Sequence, residues 1–380
     1  MTTEQQFARI TDEMIVKLKE RIGVPRRPRN IWNTVATKDA IRHWAWGIGD
    51  DNPLFLDEEY AAKGPYGGLI APPTFLYSNN HGPYGPGSKP SRGGGMPGIH
   101  GLHLYDSWAF YEPVRVDTPL TPTEYVAAVE EKTGKYAERM VLQRTEVDFT
   151  DDQGTLLAKN SFASMKTERG TPKDKAKYAD ITKWVYTPEE LAQIDHDYEN
   201  EVRRGAVPRY WEDVQVGDDI GYVVKGPLTV LSMMTYWMGW GCIFGMTDKI
   251  AHDYLKLHPG ANVPHPDTNV PDFPERGHWG DPFVHELGFP LGYDIGTQRI
   301  GWFAHLMTNW QGDHGFLRAL TVRLRSPNWL GDTTWLRGRV TDKRITDGEH
   351  MIDCEVWATS QRGVRHAEGE ATVRLMSRGS

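Results

Sequence analysis

Cysteine is almost missing from this chain. There are two in 380 residues, Cys242 and Cys354, and no CxxC pair. That excludes a disulfide scaffold and points to a reducing compartment. No apolar run reaches the roughly 18 residues that a membrane helix needs. The N-terminus lacks a basic start followed by an apolar stretch. A cytoplasmic protein that does not span a membrane is the expectation. Positive charge is not in excess either: the formal net charge is −8 and the pI is near 6.0. This argues against nucleic acid and membrane surfaces as partners. Low-complexity tracts, Walker-A and Rossmann fingerprints and the HExxH zinc pattern are all absent.

The composition that remains is globular, 39% hydrophobic and 25% charged, and the length suits two domains. Fourteen Trp is a high count. Such residues mostly fill cores and interfaces, and they also suit a site for large flat substrates.

Apolar spacing predicts helices over 10–22 and over 38–47, the second with Thr37 as N-cap. Another should begin at Pro72-Pro73, where proline is tolerated in a first turn. Residues 82–101, dense in Gly and Pro, read as a long loop. Strands are expected at Glu124–Glu131, Met140–Phe149 and Leu156–Met165. A polar linker follows, then a helix from Pro188 to about Arg204. The order then repeats. Tyr210–Val214 leads into a strand, and Thr229–Trp240 forms a helix. A short helix is expected near Lys249–Leu257, and a longer one from Thr297 to Trp310. Strands at Leu320–Arg325, Thr333–Val340, Met351–Thr359 and Ala371–Leu375 close the chain. Consecutive strands around one buried helix imply an α+β layer in each half.

Two incomplete copies of one motif mark the halves. The first is Gly49-Asp50-Asp51-Asn52-Pro53-Leu54-Phe55, an Asp-x-Asn-Pro with no His two residues after the Pro. The second is His278-Trp279-Gly280-Asp281, then Gly288-Phe289-Pro290 and Ile295-Gly296, which has the His but no Asp-x-Asn-Pro before it.

These residues resemble the MaoC-type (R)-specific enoyl-CoA hydratases and (3R)-hydroxyacyl dehydratases, whose motif is Asp-x-Asn-Pro-x-His followed by a helix opened at a Gly. The N-terminal half, with Gly67-Gly68-Leu69-Ile70-Ala71-Pro72-Pro73-Thr74, is similar to the companion FAS1-like dehydratase domain, which is commonly non-catalytic. The resemblance implies a tandem (double) hot-dog fold. Residues 1–170 would be an N-terminal hot dog that houses the acyl tail, 171–207 a linker with a helix, and 208–380 the MaoC-like hot dog.

The implied chemistry is reversible hydration of an α,β-unsaturated thioester. A carboxylate and an imidazole hold a water, and a helix N-terminal N–H meets the oxygen where enolate charge develops. The resemblance assigns the imidazole to His278 and the N–H to Gly296. Tyr293, Asn52 and Arg299 are expected to join Gly296 in contacting substrate. The family's Asp falls at Phe273, so the carboxylate stays open between Asp272, Asp281 and Asp50. Asp50 also has a plain reading as a turn cap beside Asn52. His252, His258, His265, His278 and His285 have no compact ligand spacing, so no metal is expected. No cofactor is expected beyond the coenzyme A of an acyl-CoA substrate, whose phosphates Arg323, Arg325, Lys343 or Arg344 could hold. A homodimer of double hot dogs is compatible with this plan. A hot-dog thioesterase and a non-catalytic acyl-CoA-binding partner subunit are the alternative functions.

Overall fold

The structure is a computed structural model that describes residues 8–28, 31–80, 96, 98–133, 139–168, 178, 180–241, 247–265, 267–279, 284–285 and 289–379. Among the described residues nine strands form one sheet: β1 (His100–Phe110), β2 (Thr121–Lys132), β3 (Met140–Thr150), β4 (Leu156–Thr167), β5 (Asp219–Lys225), β6 (Phe316–Leu324), β7 (Thr334–Thr346), β8 (Glu349–Ser360) and β9 (Arg365–Leu375). The helices are α1 (Asp12–Lys19), α2 (Lys38–Gly47), α3 (Pro53–Leu56), α4 (Glu58–Lys63), α5 (Tyr77–Asn80), α6 (Pro188–Glu199), α7 (Val230–Trp240), α8 (Asp248–Leu257) and α9 (Gly296–Gln311).

The sheet runs β2-β3-β4-β1-β6-β9-β8-β7-β5, antiparallel throughout. Two curled hot-dog sheets are thus joined edge to edge, β1 against β6. Their register runs from Tyr105 opposite Arg323 to Ala109 opposite Ala319. Each half covers the other's open edge, which removes a template for unwanted pairing. Ser107 and Thr321 hydrogen-bond across the seam through their hydroxyls at 2.8 Å.

Helix α9 is the axis of the C-terminal half. Every residue from Thr297 to Gln311 is buried, and Ile300, Phe303 and Met307 are fully so. A helix apolar on most sides is stable only when wrapped, and strands β5, β6 and β7 wrap it. In the N-terminal half, Ile41 and Trp44 of α2 fill the core with Phe75, Trp108 and Phe149. Thr37 caps α2 by accepting from the Ala40 N–H, as its sequence position suggests.

Several elements differ from expectation. Strand β1 arises where a loop or nothing regular was expected. The Pro72-Pro73 helix is a 3₁₀ turn, Pro73–Leu76, continued by α5. Residues 81–95 and 169–177, and with them most of the expected Gly-rich loop and linker, lie outside the described residues. Helix α6 stops at Glu199 rather than near Arg204, where Asn200 closes it with a side-chain bond to the His196 carbonyl. No described helix is long and apolar enough to cross a membrane.

Candidate active site

Helix α9 begins without a side-chain cap: the residue before it is Ile295, whose side chain has no oxygen to offer the N–H groups of Gly296 and Thr297. These donors lack intrahelical partners by geometry, and the helix dipole adds partial positive charge there. Ile295, Gly296 and Thr297 open onto a cavity of about 1020 Å³. Its walls include the aromatic rings of Trp237, Trp240, Tyr254, Phe273, Phe289 and Tyr293.

His278 lies on this cavity. Its Nδ1–H donates to the Tyr293 carbonyl at 2.8 Å, which leaves the lone pair on Nε2. Burial pushes the imidazole below its ordinary pKa, outweighing the Tyr293 bond and the charge of Asp294. The ring is therefore neutral near pH 7 and can accept a proton. Tyr293 packs on His278 at 4.8 Å between ring centroids and on Phe289 at 5.1 Å. Arg299, one turn into α9, is buried and gripped by Asp294, with its Nε donating at 2.7 Å. Its Nη1 donates to the Ser326 carbonyl at 2.8 Å and to His366 Nδ1 at 3.0 Å. These bonds tie the 293–299 turn, which lines the cavity, to the segments at Ser326 and His366. Burial and the Arg299 charge keep His366 neutral, well below its ordinary pKa.

The structure therefore brings His278, Tyr293, Gly296 and Arg299 to one cavity. Asp272 is elsewhere. It lines a separate depression with Thr247 and His252, accepts from the Phe273 N–H at 2.7 Å and sits 3.5 Å from Arg276. Asp281 lies outside the described residues. Asp50 is buried at the end of α2 and accepts from the Asn52 N–H at 3.0 Å. The Asn52 side chain in turn accepts from Leu54 N–H at 3.0 Å and caps α3. These are the bonds of a turn cap. Asn52 faces a smaller cleft near Gln311, at the far end of α9.

Asp50, Asp51 and His305 bring their ligand atoms within 4.8 Å of one another. The Lys225 ammonium donates to His305 Nδ1 at 2.8 Å, so this pocket already holds a cation of its own. Of the four basic residues expected to meet phosphates, Arg325 lines the large cavity. Arg323 pairs with Glu370, Arg344 with Asp353, and Lys343 donates to the Val214 carbonyl.

One pair went unread in the sequence. His103 lines the same cavity, and its Nε2 hydrogen-bonds to the fully buried Asp106. The available signal was an Asp at an inward position of the pattern Asp106, Trp108, Phe110.

Comparison with known proteins agrees with this architecture. Residues 22–160 match the family model described as "FAS1-like, dehydratase domain region". A UPF0336 protein of Parafrankia sp. (strain EAN1pec) is 30% identical over 135 residues, 35% of this chain and 83% of that one. A solved MaoC-like dehydratase shares the fold at TM-score 0.64 and 17% identity, covering 95% of this chain and 99% of its own. A putative MaoC domain protein dehydratase from Chloroflexus aurantiacus superposes at TM-score 0.53 and 12% identity, with 94% of each chain covered. The double hot dog, the FAS1-like match and the relative covered over 83% of its length lead to one conclusion: the chain belongs with the UPF0336 proteins, carries a FAS1-like dehydratase region in its N-terminal half, and has the fold of the MaoC-like dehydratases.

Proposed function

We propose that this protein is a hydro-lyase that interconverts a 2-enoyl thioester and its 3-hydroxyacyl form, with the thioester carried by coenzyme A. The observation that carries the reading is the uncapped start of α9, which opens into an aromatic cavity beside a neutral imidazole. The thioester oxygen would accept from the Gly296 N–H, where the helix dipole favours enolate charge. His278 Nε2 would take a proton from water as its oxygen attacks C3. The FAS1-like dehydratase match and the fold shared with MaoC-like dehydratases support the reaction class.

The substrate is a bulky acyl chain. Small-molecule sites run to roughly 300–1,000 Å³, and this one reaches about 1020 Å³ with large apolar rings on its walls. A crotonyl-type chain would leave most of that surface unfilled.

A panel of 2-enoyl-CoA thioesters, from crotonyl to aromatic and polycyclic, tests this. The expected result is loss of the conjugated enoyl absorbance without release of free thiol, fastest for bulky chains and abolished in His278→Ala. Thiol release from saturated acyl-CoA would instead identify a thioesterase. Binding with no turnover of any member would identify an acyl-CoA-binding subunit.

A further inference from the structure

The cavity needs a carboxylate, and its own half does not place one in the family's position, which Phe273 occupies. The carboxylates of that half on the cavity wall are Glu275 and Asp294, and Asp294 is committed to Arg299. The other half supplies a candidate on β1. Residues three apart on a regular strand point to opposite faces. Here the register with β4 slips between His103 and Tyr105, so Leu104 is an extra residue. The bulge brings His103 onto the inward face with Asp106, Trp108 and Phe110, and bulges commonly re-aim a side chain in this way. Asp106 Oδ2 then meets His103 Nε2, while Oδ1 accepts from Asn160 Nδ2 at 2.7 Å. Phe162 stacks on the imidazole with ring centroids 5.9 Å apart.

This ring stands against the start of α9. A Cβ added to Gly296 would lie 3.1 Å from both Cβ and Cδ2 of His103. A thioester whose oxygen sits on the Gly296 N–H has C1 and C2 next to that glycine, hence next to His103. His278 is tied to Tyr293, three residues before that glycine.

We propose that His103, oriented by Asp106, is a second catalytic residue of this site and transfers the proton at C2. The role rests on the hydro-lyase reading above. In hydration, the water oxygen bonds to C3 and its proton goes to His278. The C2–C3 π pair becomes the C1–C2 bond of an enolate, whose oxygen carries the charge at Gly296. The enolate then reforms its carbonyl as C2 takes a proton from the His103 imidazolium. One water has been added, His278 ends protonated and His103 neutral, and solvent exchanges the difference. Dehydration runs the same steps backward. Asp106, acting through His103, is a positioning residue: its oxygen holds Nε2–H so that Nδ1 is the nitrogen left for substrate.

The test compares wild type with His103→Gln, Asp106→Asn and Asp106→Glu. It reads kcat and KM on the best enoyl-CoA, and calorimetric affinity for the saturated acyl-CoA. His103→Gln should lower kcat by about 10²–10⁴-fold, the usual weight of general acid–base catalysis, with KM and the saturated affinity little changed. Asp106→Asn should also lower kcat more than it moves KM, and Asp106→Glu should recover part of the loss. His103 keeps 23% of its side chain exposed, so His103→Gln decides the matter even if a buried Asp106 variant does not fold. Wild-type kcat in His103→Gln, or a loss matched by lost binding, would overturn the role while leaving the hydro-lyase reading intact. A wild type inert towards every enoyl-CoA would overturn both.

Discussion

Lys225 and His305 meet inside the protein at 2.8 Å, and Asp50 Oδ1 lies 3.6 Å from the other nitrogen of the same imidazole. All three are buried. Lys225 also donates to the Ile48 and Gly49 carbonyls at 2.9 and 2.8 Å, so a β5 side chain in the C-terminal half clamps the degenerate loop of the N-terminal half.

Burial raises the Asp50 carboxyl from 3.8 to about 7, against the opposing Asn52 bond and the Lys225 charge. It lowers Lys225 from 10.5 to about 8. The folded state thus holds the Asp50 proton that the unfolded chain releases. This contribution is complete below about pH 4 and lost as pH rises through about 7. Lys225 has the opposite sense: burying its charge costs stability below about pH 8, and that cost fades as pH rises towards 10.5. Stability should therefore fall from pH 4 to 7, by on the order of 1 kcal/mol per pH unit at most. Urea unfolding of wild type and Asp50→Asn at pH 5 and pH 7 checks this. A difference between the two proteins that does not change with pH would refute it.

Gly239 of α7 lies against the backbone of α2. A Cβ there would fall 2.4 Å from the His43 carbonyl oxygen, which no rotamer change relieves. Gly239→Ala should cost about 1–3 kcal/mol by forcing the two helices apart. Gly47→Ala, with 3.1 Å to Tyr236 Cα, should cost less. Thermal unfolding of the two variants should rank them in that order.

Asp294 and Arg299 form an ion pair in which both side chains are nearly inaccessible. Asp294→Ala strands the guanidinium without its carboxylate and should destabilise by about 3–5 kcal/mol. Chemical denaturation would measure it, and a change within the range of ordinary surface substitutions would show that water replaces the carboxylate there.

Arg325 stands on the rim of the large cavity and is half-exposed in its pair with Glu368. If coenzyme A phosphates pass this rim, Arg325→Ala should raise KM several-fold and leave kcat alone, as expected when binding is lost equally from ground and transition states. The effect should shrink at high salt, where exposed charges are screened. An unchanged KM at low salt would remove Arg325 from the binding surface.

Much of the fold was legible in the residues. Thr37, Thr229 and Pro188 marked helix starts, and periodicity set α2, α7 and α9 within a residue or two of where they lie. Strands β2, β3 and β4 followed from runs rich in Val, Leu, Phe and Thr, separated by turn residues. Strand β1 did not, because its bulge breaks the period-two pattern and a Gly-rich stretch precedes it. Asp272 was proposed from its distance to His278 along the chain, yet it faces a different depression: the 3₁₀ turn Pro274–His278 separates the two.

By itself the sequence determined the element types, the duplicated plan and the resemblance that named Gly296 and His278, since caps, periodicity and motif spacing are local properties. Only the tertiary structure decided which groups share a cavity. His103 and Asp106 belong to one half, Gly296 and His278 to the other, and the β1–β6 seam brings them together over a separation that no local pattern encodes.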